Sequence, residues 1–474
     1  MTQGFSTRAL HAGAAPDPVT GSRAQPIHQT SSFVFKDAEH ASKLFALQEF
    51  GDIYTRIGNP TTGALEARIA DLEGGTMGLA TASGHAAQLL AFHVLMEPGA
   101  KIVAAKQLYG GSINQLGHAF KKFGWEVEFV DIGDHAAVEA AIDDKTRVIF
   151  TESLANPGGI VTDIAAIAAI AEKHGVVYVV DNTMASPYLC RPLEHGAHVV
   201  VHSLTKFIGG HGNSIGGMLV DGGRFDWKAH ADKYPTMATP QSFYNDLVFA
   251  DGFGALPLGP EGQEVDIAFA IAARAFSLRD LGPALSPFNA FMIMTGCETL
   301  PLRMAKHCEN ATTVATYLEG HEKVSWVRYA GLAGDDYHAL AQKYCPNGAG
   351  AVFTFGLKGG HEAGVKLVEP ELAREEIEIG DIALRPDQDT ARPLWRALNV
   401  QLTDQERADF TELNETYTAK FGFPFIIAVK DNTKASIGAA FKRRIGNDRD
   451  TEFAEACRQV ERIAELRLLE KFGS

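Results

Sequence analysis

The sequence contains little cysteine and no long apolar run. Five cysteines occur in 474 residues, and none stands in a Cys-x-x-Cys spacing, so we expect neither a disulfide framework nor a cysteine zinc site. No apolar run approaches the roughly 18–20 residues that a membrane-spanning helix needs. The first residues also lack the basic and apolar regions of a secretory signal peptide. Together these absences predict a cytoplasmic protein with reduced thiols and no membrane partner.

Positive charge is also scarce. Lysine and arginine number 43 and aspartate and glutamate 58, which gives a formal net charge of −15 at pH 7. A protein that binds nucleic acid needs a basic face, so this balance argues against a nucleic-acid partner. The chain lacks the Gly-Lys-Ser/Thr loop of nucleotide hydrolases. Its histidines and cysteines have no ligand spacing, so no metal site is expected.

The pattern of apolar residues changes along the chain and separates five segments. An irregular, Gly- and Pro-containing start is followed by regular alternation of strands and helices, then by a looser mixed region. A charged stretch with two prolines precedes a largely helical end. The predicted segments are an N-terminal arm at 1–50, a large α/β domain at 51–255, a partial small α+β domain at 256–368, a linker at 369–401 and a helical segment at 402–474.

In the large domain, short β-branched runs alternate with helical stretches. This alternation predicts an α/β fold with a mainly parallel sheet and helices on both faces. The predicted strands are Lys101–Ala105, Val127–Val130, Val148–Thr151, Val176–Val180 and Val199–Val201, and the predicted helices are Ala86–Met96, Ser112–Phe123, Ala136–Ile142 and Ile164–His174. Later in the chain, helices are predicted near Ala268–Arg279, from about Asn289 to Leu318, and over most of Thr403–Phe421 and Asn432–Leu469.

Polar residues follow two of these strands, at the sheet edge where ligands bind in such folds. Asp181 and Thr183 follow one strand, and Ser203, Thr205 and Lys206 follow the next. A lysine amine can form a Schiff base, and hydroxyls with glycine amides can hold a phosphate. A carboxylate can pair with a protonated ring nitrogen, so the cluster suits pyridoxal phosphate. The alternative, a solvated lysine and a helix-capping aspartate, stays open on these residues alone.

Several motifs together resemble the Cys/Met-metabolism family of pyridoxal-phosphate enzymes, within it the O-acetylhomoserine sulfhydrylases. The resemblance extends over about residues 1–368 and implies fold type I with a mainly parallel sheet of the seven-stranded type. The motifs are Tyr54–Thr61, Ala82–His85, Tyr109–Gly111, Glu152–Pro157, Asp181–Thr183, Ser203–Lys206, Leu281–Phe291 and His307–Ala311.

The resemblance implies a role for each matching residue. Lys206 would form the Schiff base and move the α-proton, and Tyr109 would stack on the ring and assist proton transfer. Asp181 would pair with the ring nitrogen, and Asn156 would contact the ring hydroxyl. The remaining implied cofactor contacts are Gly84, His85, Thr183, Ser203 and Thr205, with Tyr54 and Arg56 reaching over from a neighbouring subunit.

The activity that the resemblance implies is γ-replacement in methionine and cysteine biosynthesis. O-acetyl-L-homoserine and sulfide would give homocysteine and acetate, in a homodimer or homotetramer with shared active sites. O-succinylhomoserine, cystathionine and methionine stay open as substrates, because the pocket for the acyl group cannot be recognised in the sequence. The arginine that grips the substrate carboxylate in this family has no matching setting after Glu369, so none is assigned.

Residues from about 402 to 471 resemble something else, the C-terminal half of the all-α ureidoimidazoline decarboxylases of urate breakdown. That resemblance rests on Leu413–Tyr417, Phe421–Ile426, Arg444–Asp448 and Gln459–Leu468, and it implies substrate contacts at Arg444 and at the backbone around Phe423–Ile426. The catalytic His-Pro pair and glutamate of that family are not found. Three alternatives to the sulfhydrylase follow: a cofactor-independent decarboxylase, a catalytically impaired fusion, or a protein that binds the cofactor without turnover.

Overall fold

The computed structural model describes residues 3–259, 262–367, 404–423, 425, 427, 434–456, 458–459 and 462. The chain divides into two compact units, residues 1–355 and 356–474, which are described separately below. The predicted linker at 369–401 lies outside the described residues.

The first unit begins with two short helices and continues as alternating strands and helices. Its first fifteen elements are α1 Phe5–His11, α2 Ala38–Phe45, α3 Pro60–Glu73, β1 Met77–Thr81, α4 Gly84–Leu95, β2 Lys101–Ala105, α5 Gly110–Asn114, β3 Glu126–Val130, α6 His135–Ala140, β4 Thr146–Glu152, α7 Ile164–His174, β5 Val177–Asp181, α8 Ser186–Leu189, β6 Val199–Ser203 and β7 Gly217–Asp221.

A helical region and a small sheet follow. The elements are α9 Pro235–Ala238, α10 Phe249–Phe253, α11 Ala268–Ala272, α12 Arg279–Leu281, α13 Pro287–Cys297, α14 Leu300–Glu319, β8 Val324–Arg328, α15 His338–Tyr344 and β9 Thr354–Leu357, with β8 and β9 paired.

The core of the first unit is a seven-stranded sheet in the order β1-β7-β6-β5-β4-β2-β3. The neighbours from β6 to β3 pair in parallel, whereas β7 runs antiparallel to both β1 and β6. Every residue of β2, β5 and β7 is buried, which suits a sheet packed against helices. The prediction of a mainly parallel α/β fold is confirmed.

Local sequence explains where the helices next to the site begin and end. The Asn59 side chain accepts from the Thr61 amide, Pro60 opens α3, and Gly74 ends it with φ 78°. The Ser83 side chain caps α4 by accepting from the Ala86 amide. Because β1 leads directly into Ser83, the cap fixes the first turn of α4 at one edge of the sheet.

Four features differ from the sequence predictions. The arm is not wholly irregular, because it contains α1 and α2. Strand β7 was not predicted, since it follows a glycine-rich stretch. The predicted helices at 112–123 and 268–279 are interrupted by π-helical turns at Gln115–Ala119 and Ala273–Leu278. The helix predicted from about Asn289 to Leu318 is two helices, because Pro301 in the first turn of α14 cannot continue a preceding helix.

Four cysteines are buried free thiols, and the fifth, Cys457, lies outside the described residues. No helix in the described part of the chain is long and apolar enough to cross a membrane. No group of three or more His, Cys, Asp or Glu side chains among those residues is arranged to hold a metal ion.

After the end of β9, most of the described residues of the second unit are helical. Its helices are α16 Gly360–Leu367, α17 Asp404–Phe421 and α18 Lys434–Arg444, and residues 449–456 are also α-helical. Its aromatic core gathers Tyr417, Phe421, Phe425, Ile437 and Phe441. Of the stretch predicted to be largely helical, Asn432–Leu469, residues 432–433, 457, 460–461 and 463–469 lie outside the described residues.

Candidate active site

A cavity of about 240 Å³ opens at the carboxyl ends of β4, β5 and β6, beside the first turn of α4. This is where ligands bind in open parallel sheets. The side chains and backbone around it come from Ser83, Gly84, His85, Gln88, Tyr109, Ser112, Glu152, Leu154, Asn156, Asp181, Thr183, Met184, Ser203, Thr205, Lys206 and Ile215.

Lys206 reaches the cavity from the turn that follows β6. Its amide donates to the Ser203 carbonyl at 3.3 Å, and its own carbonyl accepts from the Gly210 amide at 2.8 Å. These two bonds fix the backbone of the turn. The residue that lines the cavity is therefore carried by a short, hydrogen-bonded segment.

Asp181 ends β5 and is only 9% exposed. Its Oδ2 accepts from Gln88 Nε2 at 3.0 Å, and its Oδ1 accepts from the Thr183 amide at 2.9 Å. Gln88 was not predicted as part of the site. It lies one helical turn after Gly84 on α4, so its spacing from the glycine was the only available signal.

One end of the cavity is suited to an anion. The amino terminus of α4 points there, with the partial positive charge and free amides of a helix start. The hydroxyl of Thr205 bonds the backbone of Gly216 at 3.2 Å, and Thr183 Oγ1 accepts from the Ser203 amide at 2.8 Å. A Cβ on Gly84 would lie 2.7 Å from Ser203 Cβ, so a larger residue there would displace this end of the site.

Glu152, at the end of β4, joins two loops of the cavity. It is 4% exposed, its Oε1 accepts from the Tyr109 amide at 2.6 Å, and its Oε2 accepts from the Asn156 amide at 2.9 Å. Burial, followed by the negative charge of Asp181, raises the pKa of Glu152 to about 8. The sequence motif contained this residue, but no role was predicted for it. Its signal was the same as that of Asp181, a carboxylate at the end of a buried strand.

The aromatic wall consists of His85 and Tyr109, whose ring centroids lie 6.1 Å apart. Tyr109 is 48% exposed and borders the cavity. Nine of the eleven sequence-predicted site residues thus line one cavity.

Tyr54 and Arg56 do not line that cavity. Tyr54 is 41% exposed, and the Arg56 guanidinium lies 5.4 Å from the centre of its ring. Arg56 also donates to the Arg279 carbonyl and borders a second, separate cavity of about 490 Å³. Within one chain, these two residues therefore contact other parts of the protein.

A buried polar network lies directly beneath the site. Glu73 Oε1 bonds His202 Nε2 at 2.6 Å and accepts from Asn182 Nδ2 at 2.7 Å. Asn182 Oδ1 in turn accepts from the Ser153 hydroxyl at 2.7 Å. His202 precedes Ser203, and Asn182 follows Asp181. Glu73, the last residue of α3, therefore links the ends of β5 and β6 through its hydrogen bonds.

Comparison with known proteins identifies the family. The family model described as Cys/Met metabolism PLP-dependent enzyme matches residues 6–379. This chain belongs to that family of pyridoxal-phosphate-dependent enzymes. The match to the family ends at residue 379, about ten residues beyond the end of the sequence resemblance at about residue 368.

Individual relatives agree with this assignment. The O-acetyl-L-homoserine sulfhydrylase of Leptospira meyeri is 50% identical over 82% of this chain and 88% of that protein. The homocysteine synthase of Schizosaccharomyces pombe is 42% identical over 85% of this chain and 91% of that protein. The crystal structure of a putative O-acetylhomoserine (thiol)-lyase from Campylobacter jejuni, with an N'-pyridoxyl-lysine-5'-monophosphate, has a TM-score of 0.70 and 37% identity. It covers 75% of this chain and 86% of that chain.

A second family model, OHCU decarboxylase, matches residues 380–469 and so begins before the predicted 402. In the second unit, Arg444 is 2% exposed. Its Nε and Nη2 contact Glu452 Oε1 at 2.8 and 2.6 Å, and its guanidinium lies 4.6 Å from the centre of the Phe425 ring. The sequence resemblance implies a substrate contact for Arg444, and that role stays a prediction beside these contacts.

The residues of the first cavity fit the cofactor of the family. The donor set combines an amine, a carboxylate, hydroxyls and helix-start amides, as a carbonyl, a protonated ring nitrogen and a phosphate require. Only glycine fits at position 84, because a Cβ there would collide with Ser203. Without a side chain, the Gly84 backbone leaves room for a phosphate to approach closely.

Proposed function

We propose that this chain converts O-acetyl-L-homoserine and sulfide to L-homocysteine and acetate, using pyridoxal phosphate. The observation that carries the proposal is the single cavity that brings Lys206, Asp181 and the anion-binding end together. Family membership supports the cofactor. The names of the Leptospira and Schizosaccharomyces relatives support this substrate and product over O-succinylhomoserine, cystathionine or methionine.

The cofactor would be held by residues from four segments. Asp181 pairs with the ring nitrogen, with its orientation set by Gln88 and the Thr183 amide. Asn156 contacts the ring hydroxyl, and Tyr109 offers its ring face. Pyridoxal phosphate, when bound, delocalises the electron pair that proton loss leaves at the substrate α-carbon. The phosphate contacts are the hydroxyls of Ser203 and Thr205 and the amides of Gly84 and His85, with Thr183 positioning Ser203.

Lys206 performs the proton transfers at the substrate. Its amine takes the α-proton, and a second proton is then lost from the β-carbon. The electron pair left at the β-carbon forms a double bond to the γ-carbon as the bond from the γ-carbon to oxygen breaks, and acetate leaves with the electron pair of that bond. Hydrosulfide then adds to the γ-carbon, the β-carbon regains a proton, and Lys206 returns the proton to the α-carbon. Tyr109 borders the same cavity and assists the proton transfer.

The test compares wild type with Lys206→Ala. The wild type should release equal amounts of homocysteine and acetate, and its visible cofactor absorbance should disappear after borohydride. Lys206→Ala should lose that borohydride-sensitive band and about 10³-fold in kcat. Lys306→Ala, at an exposed position, serves as a control and should behave as wild type.

Two results of this test would contradict the proposal. One is full activity in Lys206→Ala, and the other is release of succinate, ammonia or another thiol in preference to acetate on a substrate panel. Activity toward the ureidoimidazoline that survives Lys206→Ala would support the decarboxylase in its place.

We also propose that the active unit is at least a homodimer, in which Tyr54 and Arg56 serve the partner's cavity. Their position outside the cavity of their own chain supports this. Mixing inactive Lys206→Ala and Arg56→Ala subunits should restore about a quarter of wild-type activity, because half of the dimers carry one intact site. Failure of the mixture to gain activity while the subunits exchange would contradict a shared site.

A further inference from the structure

Glu152 has a position that no proposed cofactor contact explains. It ends β4, lies in register with Asp181 at the end of β5, and borders the cavity. Each of its two oxygens accepts a backbone amide hydrogen, one from Tyr109 and one from Asn156. One buried carboxylate therefore connects the loop after β2 to the loop after β4.

We propose that Glu152 is a positioning residue, whose carboxyl group holds Tyr109 and Asn156 at the distances that ring stacking and ring-hydroxyl contact require. This inference rests on the proposed function, because that function makes Tyr109 and Asn156 cofactor contacts. Glu152 itself acts through these two backbones and takes no part in proton transfer.

The two bonds need an acceptor oxygen for each of two N–H donors. A carboxyl group offers both oxygens as acceptors, and it still does so with the proton that its raised pKa of about 8 keeps on it at neutral pH, when the O–H points away from the two amides. A glutamine of the same shape has one oxygen and one NH₂ group, so it can satisfy one amide and must face the other with a donor. At 4% exposure, water cannot readily replace the lost acceptor.

Asp221 provides a matched control. It is also a buried strand-end carboxylate that accepts two backbone amides, from Gly223 at 2.8 Å and Ala270 at 3.0 Å. Strand β7 is antiparallel, and Asp221 pairs with Met77 and Val199, at the edge of the sheet opposite to the cavity. Asp221→Asn therefore makes the same chemical change away from the site.

The experiment measures pyridoxal phosphate binding to cofactor-free wild type, Glu152→Gln and Asp221→Asn. The Kd comes from an absorbance titration, and visible circular dichroism at saturating cofactor reports how the ring is held. Glu152→Gln should raise the Kd about 10-fold and reduce the visible dichroism per bound cofactor, because one loop loses its anchor. Asp221→Asn should lower the thermal midpoint and leave both cofactor signals unchanged.

A wild-type Kd and dichroism spectrum in Glu152→Gln would overturn the proposal. An equal change in Asp221→Asn would also overturn it, because the effect would then come from general destabilisation. A second measurement covers the case in which Glu152→Gln does not fold. In wild type, the amide hydrogens of Tyr109 and Asn156 should exchange slowly with solvent, and fast exchange of both would rule out the two bonds.

Failure of this proposal is distinguishable from failure of the proposed function. Binding and dichroism need only the cofactor, so they do not depend on the identity of the substrate. A wild type that binds the cofactor but makes no homocysteine would refute the substrate assignment while Glu152 is still tested. A wild type that takes up no pyridoxal phosphate would overturn both.

Discussion

Glu73 and His202 form a hydrogen-bonded pair in which neither side chain is exposed to solvent. Glu73 Oε1 lies 2.6 Å from His202 Nε2, and the same oxygen accepts from Asn182. A carboxylate without solvent is costly unless its partners compensate it. The pair therefore couples the stability of the sheet to the position of the two strand ends that carry Asp181 and Ser203.

Glu73→Ala should be strongly destabilising. The change removes the acceptor of both His202 and Asn182, and none of the three side chains is exposed to solvent. Breaking a buried pair of this kind costs about 3–5 kcal/mol. The check is urea unfolding followed by the fluorescence of the buried Trp125 and Trp227. Glu139→Ala, which breaks an exposed pair with Lys173, should change the midpoint far less. Equal effects of the two changes would refute the role of the buried pair.

Gly84→Ala should weaken cofactor binding with little change in helix stability. The new Cβ would lie 2.7 Å from Ser203 Cβ and would push apart the two elements of the anion end. We expect the Kd for pyridoxal phosphate to rise at least about 10-fold. Gly63→Ala is the control, because a Cβ there meets nothing within 4 Å. That change in α3 should stabilise by about 0.5–1 kcal/mol and leave the Kd unchanged.

Asp221 should make stability fall as the pH rises toward neutrality. Burial raises its pKa from 3.8 to about 7 in the folded state. Between these values the folded chain holds a proton that the unfolded chain has released, so the contribution is complete below about pH 4 and is lost as the pH passes 7. Asp221→Asn should flatten the slope of unfolding free energy against pH by at most about 1.4 kcal/mol per pH unit. Parallel slopes in the two proteins would contradict this.

The sequence was sufficient for elements whose pattern is local. Lys101–Ala105 and Ile164–His174 were predicted with the bounds that the structure has, because each is a continuous apolar run or a regular helical period. Strand β7 was missed, since only three apolar residues, Met218 to Val220, follow a run of glycines. Its extended form comes from pairing with β1 and β6, which no local pattern records.

The residues of the candidate site also divide into those that a local sequence pattern predicts and those that it does not. Asp181, Ser203 and Lys206 could be found because each lies within five residues of the end of a predicted strand, and parallel strands end at one edge. Most of the other residues came from the family resemblance. Gln88 and Glu152 were not predicted, because their importance lies in contacts to Asp181, Tyr109 and Asn156 that only the folded chain brings together.

Glu452→Ala should unfold the core of the second unit. Glu452 is fully buried and accepts from Arg444 Nε and from Asn447 Nδ2 at 2.7 Å, and the Tyr417 hydroxyl also donates to it. Without the carboxylate, the Arg444 guanidinium loses its anionic partner in the core. Hydrogen exchange of the whole chain should show faster exchange at 404–423 and 434–456, with 77–221 unchanged.

Glu455→Ala is the matched control for this change. Glu455 lies on the same helix as Glu452, residues 449–456, and pairs with the exposed Arg458. Its removal should therefore leave hydrogen exchange in 404–423 at the wild-type rate. If Glu452→Ala also left that rate unchanged, the Tyr417–Arg444–Glu452 contacts would not hold the unit together.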